Sequence, residues 1–233
     1  LEALTKGEIK AALVKVQARG VADTAHRLKQ YTSAIFEHAT DSIPTLINPT
    51  PKHALNAPPK ARHNPTLHGP AFGAFLHKLE TGDLERITML ALKFAVLTVA
   101  RTKEVRYATW DEVSDWKRPA KALWRLDAKR MKKERPHVVP LSRQACDVLE
   151  AMHLITGGRG LIFPGIAKDG ALSDNTLLFA VYRLGFHSKQ SVHGFRSAFS
   201  THCHEAGFNP DHIEACLSHS KDDVRAAYNH AQY

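Results

Sequence analysis

Four residues toward the C-terminus carry side chains able to bind an anion and move a proton: His193, Arg196, His219 and Tyr228. His193 and Arg196 lie three apart in Ser191-Val-His-Gly-Phe-Arg196, a spacing that projects both from one side of a helical turn. His219 follows in Leu217-Ser-His219, and Tyr228 stands nine positions further on. Each has an ordinary explanation when taken alone. A His/Arg pair at this spacing is usually a solvated helix face, and a histidine near a helix C-terminus is favoured by the dipole. A tyrosine four residues after Val224 on a helix is usually packing.

Composition narrows the partner. The 233 residues hold 32 Lys and Arg against 23 Asp and Glu, for a formal charge of +9 and a pI near 9.5. That excess favours a polyanion, because each neutralised phosphate releases condensed counterions. Nucleic acid comes first, although anionic membranes and plain solubility give the same number. No apolar run approaches the roughly 20 residues of a membrane span, and Lys93 interrupts the longest candidate, Leu90 to Ala100. Cys146, Cys203 and Cys216 are too scattered for a disulfide framework and fit a reducing cytoplasm. The opening LEALTKGE shows no secretory pattern and no initiator Met, so the chain reads as a fragment of a longer protein. Several His and Cys residues between His202 and His219 could suggest zinc, but their spacing matches no finger or ribbon.

The elements that would position these residues can be read from apolar spacing and breakers. Residues 6 to 40 read as two helices. Ile9, Leu13 and Val16 form one stripe, Gly20 is a stop, Asp23 is a second cap, and Ala25, Leu28, Ile35 and Phe36 form a buried face. Residues 44 to 70 contain seven prolines among Asn, Lys and His and read as an interdomain linker. A strongly apolar helix is expected from about Leu84 to Val99. KALWRLDA and HVVPL, either side of a basic run from Lys129 to Arg135, read as strands of a small antiparallel sheet. Ser142 and Gly157 bound one helix, and Ser173 or Asp174 and Gly185 bound another. Three short helices follow: one ending near Gly207, one opening at Asn209-Pro210, and one starting at Ser220. The sum is a mainly α fold with a small antiparallel β-sheet.

The order of these features resembles the tyrosine recombinases, in particular integrases of prophages and genomic islands. His193-Gly-Phe-Arg196, Leu217-Ser-His219 and Tyr228 resemble that family's C-terminal signature. Thr98-Val-Ala-Arg101-Thr-Lys-Glu104 stands where the family carries its upstream arginine, with Val99-Ala100 replacing the usual Gly-containing pair. Arg130-Met-Lys132 before His137-Val-Val-Pro-Leu141 is similar to the hairpin bearing the family's lysine. The resemblance implies a catalytic domain over residues 70 to 233. It also implies a helical core-type DNA-binding domain over 1 to 60, incomplete at its N-terminus, with a linker to about 69.

What the resemblance implies is site-specific cleavage and rejoining of attachment-site DNA through a covalent 3′-phosphotyrosyl link, integrating or excising a phage or island. Arg101, Lys132, His193, Arg196, His219 and Tyr228 would be the catalytic set, with Tyr228 the nucleophile. The two guanidiniums suit the charge that builds on the non-bridging oxygens, and His219 would donate a further hydrogen bond. His193 would take the phenol proton, and Lys132 would protonate the departing 5′ oxygen. No metal or other cofactor is expected, since the arginines supply positive charge. The expected partners are double-stranded DNA attachment sites, a homotetramer on DNA, a host DNA-bending protein and an excisionase. The expected setting is the bacterial cytoplasm at the nucleoid. A catalytically inactive DNA-binding relative and a type IB topoisomerase-like enzyme are the alternatives.

Overall fold

The computed structural model describes residues 4–57, 64–131 and 135–219. The chain divides into two compact units, Leu1–His63 and Asn64–Tyr233.

In the first unit, α1 (Lys6–Ala18) opens with a capping box between Thr5 and Glu8, and Gly20 ends it with φ 81°. Helix α2 (Ala22–Ser42) packs on α1. Its cap is Val21 rather than Asp23, which sits in the first turn, where its charge still complements the dipole. Ile9, Leu13, Phe36 and Ala54 make a small core, flanked by Leu46 and Leu55. Ala25 is buried, but Leu28 and Ile35, expected beside it, are 41% and 57% exposed. Residues of the proline-rich stretch also pack onto this unit: Asn48 donates to the Ser33 carbonyl, and the Asn56 carbonyl contacts Gln17 and His26. That core is small, and it covers only part of the α2 stripe.

The second unit begins with a helix the breaker pattern concealed. Pro70, counted above with the linker, sits in the first turn of α3 (Gly69–Thr81), where its missing N–H costs nothing. Helix α4 (Arg86–Thr98) has Leu90, Ala91, Leu92, Phe94 and Ala95 all 5% exposed or less, as expected of a helix surrounded by protein. Lys93 escapes to an ion pair with Glu80. Around α4 pack α5 (Thr102–Arg106), α6 (Arg143–Thr156) and α7 (Thr176–Val181). Ser142 caps α6 through the Ala145 amide, and Gly157 ends it with φ 69°. Neither Ser173 nor Asp174 caps α7; Asn175 occupies that place, and Asp174 instead pairs with the buried Arg106.

The sheet is three-stranded and antiparallel, β1 (Val113–Ser114), β2 (Leu123–Leu126) and β3 (His137–Pro140) in that order. Its register sets Trp124 opposite Val139 and Leu126 opposite His137. Helices α8 (Gly194–Glu205) and α9 (Pro210–Cys216) close the described chain, with Asn209 capping α9 through the Asp211 amide. The helix expected from Ser220 lies outside the described residues.

Trp124 joins the sheet to the core. It is fully buried, its ring lies 5.2 Å from that of Phe94, and its indole N–H donates to Glu112. Trp124→Ala is expected to cost about 3–5 kcal/mol in urea unfolding. A loss below about 1 kcal/mol would contradict this placement of the sheet.

Candidate active site

Arg101 begins α5 as its N-cap, in extended backbone, immediately after a turn led by Val99. Val99 adopts φ 48° and ψ 24°, the left-handed conformation a glycine would take freely and a β-branched residue rarely does. A conformation that suits glycine thus falls in the pair that replaces the Gly-containing one. Glu104, 4% exposed, reaches back to this turn: one carboxylate oxygen accepts from the Arg101 amide at 2.7 Å, the other from its Nη1 at 2.8 Å. The Arg101 guanidinium is thereby fixed at the edge of the site.

Arg196 lies in the first turn of α8 and is 5% exposed. Its Nη1 donates to the Val99 carbonyl at 2.6 Å, and its Nη2 donates to the Leu217 carbonyl. These are the C-cap residues of α4 and α9, whose last carbonyls lack intrahelical donors, so one cation serves two helix C-termini. Its Nε finds no acceptor among the described residues. Burial, with Arg101 nearby, pulls the Arg196 pKa down to about 10, which leaves it charged at neutral pH.

Arg196 Nη2 also lies 3.2 Å from His219 Nε2, and His219 Nδ1 lies 2.8 Å from a Glu214 carboxylate oxygen. A neutral His219 with its proton on Nδ1 satisfies both contacts, donating to Glu214 and accepting from Arg196. His219 is thus an acceptor toward the arginine.

His193 precedes α8 as its N-cap. It is exposed, yet partial burial holds its pKa below the ordinary histidine value, helped by the nearby Arg196 and Arg101 guanidiniums. It is therefore a free base near neutral pH. Its neighbour Gly194 has no room for a side chain, because a Cβ there would strike the Pro65 carbonyl. The same carbonyl accepts from the Ser191 amide at 2.9 Å, and Gln190 accepts from the Leu67 amide at 2.7 Å. The segment before α3 thereby holds the start of α8. A cavity of about 520 Å³ opens beside His193, lined by Thr102, Lys103, Arg106, Asn175 and Ser191 among others.

Four of the six residues singled out by sequence thus gather at one place: Arg101, His193, Arg196 and His219. Lys132 and Tyr228 lie outside the described residues. Arg130, two residues before Lys132, is held by Glu112 and by the Glu104 carbonyl at 2.9 Å, which ties the start of the basic run to α5. Two residues were not read from sequence as part of the site. Glu104 was legible only as a letter of the upstream motif. His137 was legible only as part of a strand, yet it is half-buried and faces Glu104, Arg196, Arg101 and the Cys216 carbonyl. Its place opposite Leu126 needs the sheet register, which local sequence does not supply.

The phage integrase family profile matches residues 71–233. The integrase of Enterobacteria phage P4 is 36% identical over 245 aligned positions, covering 97% of this chain and 55% of that protein. Prophage integrase IntA of Escherichia coli K12 is 35% identical, covering 97% of this chain and 56% of its own. The chain thus spans about half the length of these curated relatives. The same fold occurs in a lambda integrase tetramer bound to a Holliday junction, at TM-score 0.71 and 20% identity, over 96% of this chain and 66% of that one. It also occurs in the Tn1549 transposon integrase in complex with circular intermediate DNA, at TM-score 0.67 and 14% identity, over 100% and 83% of the two chains. The chain belongs to the phage integrase family.

The Val99 turn can be tested apart from its side chain. Val99→Gly and Val99→Ala both lose the packing against Ile213 and Leu217, so they differ chiefly in backbone conformation. The Gly variant is expected to be the more stable by about 1 kcal/mol in urea unfolding. This is the reverse of the order inside a helix. An Ala variant that equals or exceeds it would reject the left-handed turn.

Proposed function

We propose that this chain is the DNA-cleaving and DNA-rejoining portion of a site-specific tyrosine recombinase that integrates or excises a phage or genomic island. The observation that carries the reading is the gathering of Arg101, His193 and His219 around the buried guanidinium of Arg196, in a member of the phage integrase family. Residues 70–233 form the catalytic domain in this reading, and residues 1–60 a helical DNA-binding domain for the core site.

The phenol oxygen of Tyr228 attacks the scissile phosphorus as the bond from phosphorus to the 5′ oxygen breaks. The phenol proton passes to His193, which is unprotonated near neutral pH. The departing 5′ oxygen takes a proton from Lys132, a role that suits an ammonium better than a guanidinium. Arg101 and Arg196 hold the non-bridging oxygens, and His219 donates a further hydrogen bond. The 3′-phosphotyrosyl ester is then attacked by a 5′ hydroxyl from another strand, which restores the phosphodiester and frees the phenol. The substrate is duplex attachment-site DNA, bound by a homotetramer in the bacterial cytoplasm at the nucleoid. A DNA-bending protein and an excisionase assist at the flanking arms. The phage P4 and E. coli integrases among the relatives, and the DNA-bound lambda and Tn1549 integrases, support this assignment.

Incubation with a pool of nicked duplexes of randomised core sequence, in excess chelator, tests the reading. A protein–DNA band that survives denaturant is expected from the wild type and from Tyr233→Phe. It should be absent from Tyr228→Phe, which still retards the DNA on a native gel. Adduct from Tyr228→Phe but not from Tyr233→Phe would move the nucleophile. Loss of all adduct in chelator, restored by magnesium or zinc, would overturn the metal-free chemistry.

A further inference from the structure

Helix α9 ends in a turn whose backbone brings Glu214 and His219 side by side. Ser218 takes the left-handed conformation at φ 50°, and its amide donates to the Ala215 carbonyl at 3.0 Å. The His219 amide then reaches back to the Glu214 carbonyl, also at 3.0 Å. These two bonds make a Schellman ending, in which the residue after the left-handed one lies against the third residue from the helix end. An apolar pair frequently fills those two places. Here they hold a carboxylate and an imidazole, with Glu214 Oε2 and His219 Nδ1 2.8 Å apart.

Stability gives little reason for this choice of residues. The His219 and Glu214 side chains are 44% and 39% exposed, and a pair so open to water adds little to folding. Orientation is what the pair supplies. A neutral imidazole can carry its proton on either nitrogen, and the hydrogen bond made by one nitrogen decides the state of the other. With Glu214 accepting from Nδ1, the nitrogen turned to Arg196 is Nε2, 3.2 Å from the guanidinium Nη2. A neutral ring with its proton on Nε2 instead would set donor against donor at that contact. Glu104 treats Arg101 alike, through a carboxylate bonded back across one turn.

We propose that Glu214 is a positioning residue of the recombinase site, which holds His219 through Nδ1 so that Nε2 is the nitrogen offered to the phosphate beside Arg196. The inference rests on reading the cluster as a phosphate site. A proton on Nε2 makes that nitrogen the donor to a non-bridging oxygen, and the carboxylate at Nδ1 balances the charge the ring then carries. Glu214 acts only through His219 and does not itself touch the DNA.

Ring-nitrogen NMR of protein with isotope-labelled histidine reads where the His219 proton resides, and the spectrum of His219→Gln identifies the signal. In mildly alkaline solution without DNA, the proton is expected on Nδ1 in the wild type. In Glu214→Ala it should move mainly to Nε2, the form a histidine side chain prefers in water. Glu214→Gln, whose amide oxygen can still accept from Nδ1, should keep the wild-type form. Single-turnover adduct formation on the pool of nicked duplexes should fall about 10–100-fold in Glu214→Ala and recover in part in Glu214→Gln. Retardation of the DNA on a native gel should be the same for all three proteins. A wild-type proton on Nε2, or one that ignores Glu214→Ala, would overturn the proposal. So would an unchanged adduct rate when the proton does move. A wild type that forms no adduct would instead reject the strand-cleaving role, while the proton shift would still support the hold of Glu214 on His219.

Discussion

A guanidinium taken out of water costs several kcal/mol unless its donors meet acceptors. Arg196 is 5% exposed, and the acceptors it meets are the C-cap carbonyls of two helices far apart in sequence, at Val99 and Leu217. Each carbonyl stands at the negative end of a helix, so the contact is charge-assisted on both sides. The residue after next in each case, Arg101 or His219, is another of the residues that gather here. Holding Arg196 in place therefore holds the turn that launches Arg101 and the turn that presents His219. The apolar contact of Val99 with Ile213 and Leu217 runs beside this polar one and joins the same two turns. Geometry at the site thus depends on one cation that caps two helices at once.

This dual use has a chemical consequence. Two of the donors on Arg196 are occupied by protein carbonyls, and His219 faces Arg196 as an acceptor. These contacts commit Arg196 to both helix ends and to His219. The left-handed Val99 fits this picture. Its carbonyl points at Arg196 only because the backbone turns there, and the packing of its side chain against α9 offsets part of the conformational cost.

How much of this could be read from residues alone follows from the range of each signal. Helix ends marked by Ser142, Gly157, Gly207 and Asn209-Pro210 were legible, because caps and breakers act within one turn. So were the two strands around the basic run, through their apolar, β-branched and aromatic content. Helix α3 was hidden by Pro70, which is equally at home in a linker and in a first turn. Asp174 was misread as a cap because nothing local reveals Arg106 as its partner. Leu28 and Ile35 fit a buried stripe, but the core available to α2 covers only part of it. Arg101, His193, Arg196 and His219 were singled out through family resemblance, since no spacing brings residue 101 to residue 196. The place of His137 beside them depends on strand register and on the approach of α9, both long-range.

If one guanidinium joins the two turns, weakening it should loosen both together. Hydrogen exchange of the Arg101 amide, bonded to Glu104, and the His219 amide, bonded to the Glu214 carbonyl, reports on each turn separately. Lysine at position 196 keeps the charge but cannot span two carbonyls and an imidazole. In Arg196→Lys, both amides should lose protection by a similar factor relative to wild type, while amides in the middle of α4 and α6 keep theirs. Loss at one turn alone, or unchanged protection at both, would contradict the account.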